Sequence, residues 1–387
     1  MKLADLAEHI DGQPMFKILE RVQELERAGR EIIHFELGEP DFDTPEHIVD
    51  ACVSSLRSGN THYAPSSGLH SFKEAIISAT EASRGFRPDA NQVAVTPGAN
   101  AVVYLAMKCL VNPGDEVLVP DPGFPTYYLA AQACGVKAVA LNLDKENRFA
   151  LDPAEVENKI TSKTRLLILN SPSNPTGAVI SRSSIEKIYE ICEKRDIFLL
   201  SDEIYARMLF SGKTFFSPSV LDKCQSRTIV LNGFSKAFAM TGWRLGVAIG
   251  PSELINKMSL LVSTIVSCVP PFIQEAGVAA IGGPQDSIVK MIAEYSKRAH
   301  MLANGLNEVK GIQCEVPDGA IYVFADIRGT GLSSENFSRV ILEDCGIAVT
   351  PGNFFGANGE GFVRFSVVTG RTQIEKALES LRGKFNG

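Results

Sequence analysis

The chain has 387 residues, more than one ordinary hydrophobic core organises, so two folded units are expected. Its 45% hydrophobic and 21% charged content is that of a globular protein. A net charge of -7, with no long run of Lys and Arg, argues against a nucleic-acid partner. Acids inside the N-terminal apolar pattern (Asp5, Glu8) argue against a secretory or membrane segment. The eight cysteines form no C-x-x-C pair and the six histidines show no ligand spacing. The expectation is a cytoplasmic protein from a reducing compartment, with no metal site and no membrane partner.

In chain order, residues 15–29 have the period of an amphipathic helix, with Phe16, Leu19, Val22 and Leu25 on one face. A strand-like run over 31–37 ends in the turn Gly38-Glu39-Pro40-Asp41. Thr44-Pro45-Glu46 has the form of a helix start, Thr44 capping and proline in first helical position, and the helix runs to Ser58-Gly59. A polar loop over 60–68 carries Tyr63, and a helix follows over 69–83. From Asn91 the rhythm changes. Short apolar runs at 93–95, 116–119, 137–141, 165–169, 197–200, 228–231 and 245–249 alternate with helical patterns such as 100–111, 124–134 and 183–195. This predicts an α/β unit with a seven-stranded, mostly parallel sheet buried between helices. Past Pro251 the pattern is helical, broken at Pro270-Pro271, with a long helix over 286–308. Strands are expected at 320–326, 348–349 and 361–368, in a smaller α+β unit. The expected division is a large domain over 46–286 and a small one made of 1–45 with 287–387.

In such sheets the loops at the carboxyl ends of the strands build the site. Glycines and polar residues gather in five of them: Thr96-Pro97-Gly98-Ala99-Asn100, Pro120-Asp121-Pro122-Gly123-Phe124-Pro125, Asn170 to Gly177, Ser201-Asp202-Glu203-Ile204-Tyr205 and Gly233-Phe234-Ser235-Lys236. Gly98-Ala99-Asn100 opens an apolar helix, either as a plain turn or as an anion site of free backbone N–H groups. Asp202 ends a fully apolar strand and needs a partner, a protein Arg or Lys or a cationic ring nitrogen. Tyr205 and Asn174 are candidate donors to a phenolate oxygen. Phe124 is placed to stack on a planar group or to pack in the core. Lys236 is either a solvated turn lysine or an amine that holds an aldehyde as a Schiff base, with Ser235 and Arg244 gripping an attached phosphate. Arg364 interrupts an apolar strand and calls for a carboxylate, in the protein or in a substrate. No G-x-G-x-x-G follows a strand, and Gly212-Lys213-Thr214 lacks the earlier glycine of a P-loop, where Arg207 stands.

Taken together, Asn170-Ser171-Pro172 with Asn174-Pro175-Thr176-Gly177, Ser201-Asp202-Glu203-Ile204-Tyr205, Phe234-Ser235-Lys236 through Gly242-Trp243-Arg244-Leu245-Gly246, and Gly361-Phe362-Val363-Arg364-Phe365-Ser366 resemble the class I/II aminotransferases. These are fold type I enzymes that use pyridoxal 5'-phosphate. The resemblance spans about residues 30 to 384. It implies transfer of an amino group from an L-amino acid to a 2-oxo acid. Lys236 is implied as the Schiff-base lysine and proton carrier, and Asp202 as the partner of the pyridine nitrogen. Asn174 and Tyr205 are implied at the phenolate oxygen, and Ser235, Arg244 and the Gly98–Asn100 turn at the phosphate. Phe124 matches the stacking position. Arg364 matches the clamp on the substrate carboxylate, with Gly38 in the loop that closes over it. Tyr63 matches a residue that reaches the phosphate from a neighbouring subunit, which implies a homodimer with shared sites. Asn100 stands where one bacterial branch of aspartate aminotransferases has a lysine for the distal carboxylate, and Phe354 and Phe355 are candidates for an apolar side-chain pocket. The same motifs suit β-elimination lyases and synthases of amino-acid derivatives. A regulator built on this scaffold would carry a DNA-binding module, for which no basic segment is present.

Overall fold

A computed structural model of the chain describes every residue except Met1, Ile10, Asp11, Gln13, Pro14 and Ser211. In chain order its strands are β1 (Ile33–His34), β2 (Val93–Pro97), β3 (Glu116–Asp121), β4 (Lys137–Asn142), β5 (Thr164–Asn170), β6 (Phe198–Asp202), β7 (Thr228–Gly233), β8 (Leu245–Ile249), β9 (Tyr322–Asp326), β10 (Ile347–Ala348), β11 (Thr350–Pro351) and β12 (Phe362–Ser366). The seven apolar runs become one sheet in the order β2-β8-β7-β6-β5-β3-β4. β8 is antiparallel to both neighbours, and the other pairs are parallel. Inner strands of such a sheet are covered on both faces, so they read as unbroken apolar runs. Consecutive residues Leu199 and Leu200 of β6 are thus both fully buried, against different helices.

One face packs on the helices Ala99–Leu110, Thr126–Cys134 and Ser252–Val266, through Val102, Ala106, Tyr127 and Met258 against Ile168, Leu200 and Leu231. Toward the β2 edge, the other face packs on His70–Arg84 and Pro271–Gly282, where Phe72, Ile77 and Ala276 meet Val95, Val230 and Val247. Further along the same face, Ile188 and Cys192 of the helix Arg182–Arg195 join Leu167 and Leu199.

A second, antiparallel sheet has the order β11-β12-β9. β1 pairs in parallel with β10, so residues near the N-terminus pack with the C-terminal part of the chain. Their shared core joins Phe35 to Tyr295 and Leu302 of the helix Asp286–Leu306 and to Val323, Phe337 and Phe365. The amphipathic helix Met15–Arg27 buries Val22 and Leu25; the side chain of Phe16, expected beside them, lies outside the described residues.

The start of the helix Glu46–Arg57 differs from expectation. Pro45 occupies the capping position and no side chain caps the helix. The Thr44 hydroxyl instead donates to the carbonyl of Ala239 at 2.6 Å and accepts from the Trp243 indole at 3.0 Å. That hydroxyl is worth more tying the N-terminal segment to the turn beyond Lys236 than at a helix end already opened by proline.

Candidate active site

The strand order brings the carboxyl ends of β5, β6 and β7 side by side. Asn170 and Asn174, Asp202 and Tyr205, and Ser235 and Lys236 therefore meet, although they are spread over more than sixty positions of sequence. They line one cavity of about 170 Å³ together with Ala99, Asn100, Phe124 and Arg244. Tyr127, Thr241 and Tyr322 line it too, and sequence reasoning had assigned none of them. Phe354 and Phe355 are not part of this lining. Phe355 is fully buried, and its ring lies under the Arg364 guanidinium at 4.8 Å.

The Lys236 amine donates to the carbonyl of Gly38 at 2.6 Å. Burial pushes its pKa down, offset by Tyr322 and pushed further by the positive charge of Arg364. Gly38 is glycine for want of space: a Cβ there would stand 2.0 Å from the Tyr322 hydroxyl. That hydroxyl lies 2.9 Å from the hydroxyl of Tyr205, whose pKa burial raises well above the ordinary tyrosine value.

Asp202 is buried, and among the described residues no Lys or Arg pairs with it. Its carboxylate accepts from the Tyr127 phenol at 2.6 Å and from the Ile204 backbone N–H at 3.1 Å. Burial outweighs both bonds and pushes its pKa up to about 6. Asn170 fixes the neighbouring loop, its Oδ1 accepting from the Asn174 N–H at 2.7 Å and its amide donating to the Asp202 carbonyl at 3.2 Å.

At the other end of the cavity the helix Ala99–Leu110 begins. Its first backbone N–H groups have no acceptor within the helix. Gly98, just before it, has φ +85°, and a Cβ there would lie 2.3 Å from Nη2 of Arg244. Arg244 itself has φ +53°, uncommon for a residue with a side chain, and its Nη1 donates to the carbonyl of Thr241 at 3.0 Å. A glycine and a strained arginine thus bring a guanidinium, a serine hydroxyl and a helix start to one place, the chemistry of a phosphate cradle.

Arg364 is fully buried on β12. Its guanidinium donates to Asn174 Oδ1 at 3.0 Å, to the Glu36 carbonyl at 2.5 Å and to Thr350 Oγ1 at 3.3 Å. It also lies 4.3 Å from the centre of the Tyr322 ring. All three acceptors are neutral, and among the described residues no carboxylate forms a salt bridge with it. The Glu36 side chain pairs with His34 instead. Tyr63 is 88% exposed and stands apart from this lining.

The signal for Tyr127 was available: it lies three residues past Phe124, and the two rings pack edge to face at 5.8 Å. Tyr322 and Glu36 had no such signal, because each reads as one more residue of a buried strand or its extension.

Known proteins resemble the chain over nearly its whole length. The model of the family described as aminotransferase class I and II matches residues 30–381. An aspartate aminotransferase of Pyrococcus horikoshii is 38% identical, over 93% of this chain and 94% of its own. An arginine–pyruvate transaminase of Pseudomonas aeruginosa is 37% identical, over 98% of this chain and 97% of its own. The crystal structure of an aspartate aminotransferase from Rhizobium meliloti superposes with a TM-score of 0.94 at 34% identity, covering 99% of this chain and 98% of that one. With its sheet order, its convergent loops and this likeness over nearly its whole length, the chain belongs to the class I and II aminotransferases.

Proposed function

We propose that this protein moves the amino group of an L-amino acid to a 2-oxo acid in the cavity of Lys236, with pyridoxal 5'-phosphate as its cofactor. One observation carries the reading: a buried amine and a buried carboxylate, each without an opposite charge paired to it among the described residues, line the same cavity. Both are costly unless a group with an electrophilic carbon and a cationic nitrogen sits between them. The cradle at Gly98, Ser235 and Arg244 fits the phosphate of that group.

When bound, the cofactor supplies an aldehyde and an electron-withdrawing ring that make a carbanion at the substrate's Cα accessible. Asp202 would keep the ring nitrogen protonated, and Tyr127 holds Asp202 in place. Ser235, Arg244 and the N–H groups of Ala99 and Asn100 would hold the phosphate. Asn174 and Tyr205 would hold the ring at its phenolate oxygen, and Phe124 would pack beside the ring. Arg364 receives the substrate's α-carboxylate, the anion that its present neutral acceptors do not supply. Lys236, with its pKa lowered, would remove the proton at Cα of the amino donor and, in the return half of the reaction, deliver one to Cα of the amino acid formed from the 2-oxo acid. Gly38 brings the small-domain loop (1–45 with 287–387, against 46–286) over the cavity and excludes water.

A homodimer completes this reading. Tyr63 is exposed, as are Leu260, Ile265 and Val266, which supports a second copy covering this surface. Eight free thiols support a cytoplasmic setting. Asn100 offers no charge to a second carboxylate, which supports apolar or aromatic donors over aspartate.

The test is a donor screen with 2-oxoglutarate and pyruvate as acceptors, read by the absorbance of the bound cofactor. The parent protein is expected to transaminate, and Lys236→Ala to lose both turnover and the absorbance of the protein-bound aldehyde. Undiminished transamination by that variant, or release of ammonia without an acceptor as the main reaction, overturns the proposal.

A further inference from the structure

A second cavity, of about 320 Å³, lies behind the Lys236 turn, on the opposite face of the sheet. Side chains alternate across a strand. Asp202 and Leu231 line the Lys236 cavity, whereas their chain neighbours Glu203 and Asn232 line the second one. The register agrees: Asn232 pairs with Val247 across β7 and β8, and Val247 lines the second cavity as well. Ile204 lines both cavities and forms part of the wall between them. The far side is closed by the helix His70–Arg84 and by Phe215 and Phe216.

The walls are mostly apolar, and their charges do not balance. Glu203 is fully buried, paired with Arg84 and accepting from the Ser217 hydroxyl. Arg207, an exposed residue, lines the cavity too. Its Nη1 donates to Gln285 Oε1 at 2.9 Å and its guanidinium lies 5.1 Å from the centre of the Phe238 ring. Among the described residues no carboxylate pairs with it. The cavity thus holds two guanidiniums against one carboxylate, with aromatic and branched side chains around them. Such a pocket, apolar with a few convergent polar groups, is what small-molecule sites are made of. None of its three charged groups has a part in the transfer chemistry argued above.

We propose that this cavity binds a small monocarboxylic acid with an aromatic or branched apolar body. The carboxylate is received by Arg207, the guanidinium without an anionic partner, with Arg84 behind it. The apolar body lies among Ile76, Phe216, Phe234 and Ile281. Because Phe234 and Ala237 line this cavity and flank Ser235 and Lys236 in the chain, an occupant presses on the lysine turn from behind without entering the catalytic cavity.

The test is a calorimetric titration of 4-phenylbutyrate into the cofactor-loaded enzyme, repeated with Arg207→Gln and with Arg364→Lys. Saturable binding that weakens tenfold or more in Arg207→Gln and persists in Arg364→Lys is expected. Ala79→Phe, which fills the cavity from the helix side, is expected to weaken binding likewise, with thermal melts confirming that the variants fold. A crystal of the loaded parent enzyme soaked with the probe provides a reading free of any variant: the probe is expected between Arg207 and Phe234. No saturable binding, loss of binding in Arg364→Lys with retention in Arg207→Gln, or a probe found only beside Arg364 overturns the proposal.

Discussion

The Tyr127 phenol donates to Oδ2 of Asp202 at 2.6 Å, and both side chains are buried. Tyr127 sits at the start of a helix that follows a Pro-Gly-Phe-Pro loop, while Asp202 ends β6, so the bond fixes the carboxylate from across the cavity floor. Tyr127→Phe leaves that oxygen without a donor in a dry place. The expected cost is about 1–3 kcal/mol of folding stability, with a fall in turnover. Urea unfolding curves and steady-state rates check both, and a variant as stable and active as the parent would show the bond to be idle.

Asp202 also makes a pH prediction for the protein without cofactor. Its folded pKa of about 6 lies above the ordinary 3.8. Between those values the folded protein keeps a proton that the unfolded chain has lost, so this group's contribution to stability falls as pH rises to about 6 and is flat above. Two pK units correspond to roughly 3 kcal/mol. Asp202→Asn removes the penalty. At pH 7 the cofactor-free variant is expected to be more stable than the parent by about 1–3 kcal/mol, the gap closing near pH 4, while turnover is lost. Denaturation midpoints across this range measure it.

Arg364→Lys keeps the charge and loses the planar fork that reaches Asn174, Glu36 and Thr350. A lysine ammonium cannot offer two parallel donors to a carboxylate. The KM for the amino acid is expected to rise on the order of 10- to 100-fold, about 1.4–2.7 kcal/mol, with the absorbance of bound cofactor unchanged. A shift of that absorbance, with KM unchanged, would place Arg364 at the cofactor instead.

His34 ties the segment that meets Arg364 to alkaline pH. Its Nδ1 lies 2.8 Å from Glu36 and its Nε2 3.0 Å from Glu26. The bond to Glu36 outweighs burial and raises its pKa to about 9. A raised histidine pKa means stability fully present below about 6.5 and lost as pH rises through about 9. The side chain is 43% exposed, so solvent screening holds the contribution to about 1 kcal/mol or less. His34→Gln is expected to lower the unfolding midpoint at pH 6 and to match the parent at pH 10. An equal deficit at both values would mean that packing, not charge, is responsible.

Much of this was legible in the residues themselves. Strand β6 was readable because Phe198 to Leu200 must be apolar on both faces, and its loop because a carboxylate cannot end such a strand without a reason. Gly98 was readable as a helix start, and Ser235-Lys236 as a turn beyond a buried strand. These signals are local: they depend on the period of the chain and on what one residue does to its nearest neighbours. The helix cap at Thr44 misled for the same reason, since the hydroxyl's better partners, Ala239 and Trp243, are far away in sequence.

What the sequence determined alone was therefore a layered α/β fold, its sheet of seven strands, and which loops carry the polar chemistry. The tertiary structure decided which of those loops touch. The order β7-β6-β5 sets Lys236, Asp202 and Asn174 around one cavity; the meeting of β12 with the segment after β1 sets Arg364 against Glu36, and its pairing with β9 sets Arg364 against Tyr322. It also decided that Asp202 and Glu203, adjacent in the chain, face two different cavities. Pairing order and packing are properties of the whole chain's burial, and no local stretch encodes them.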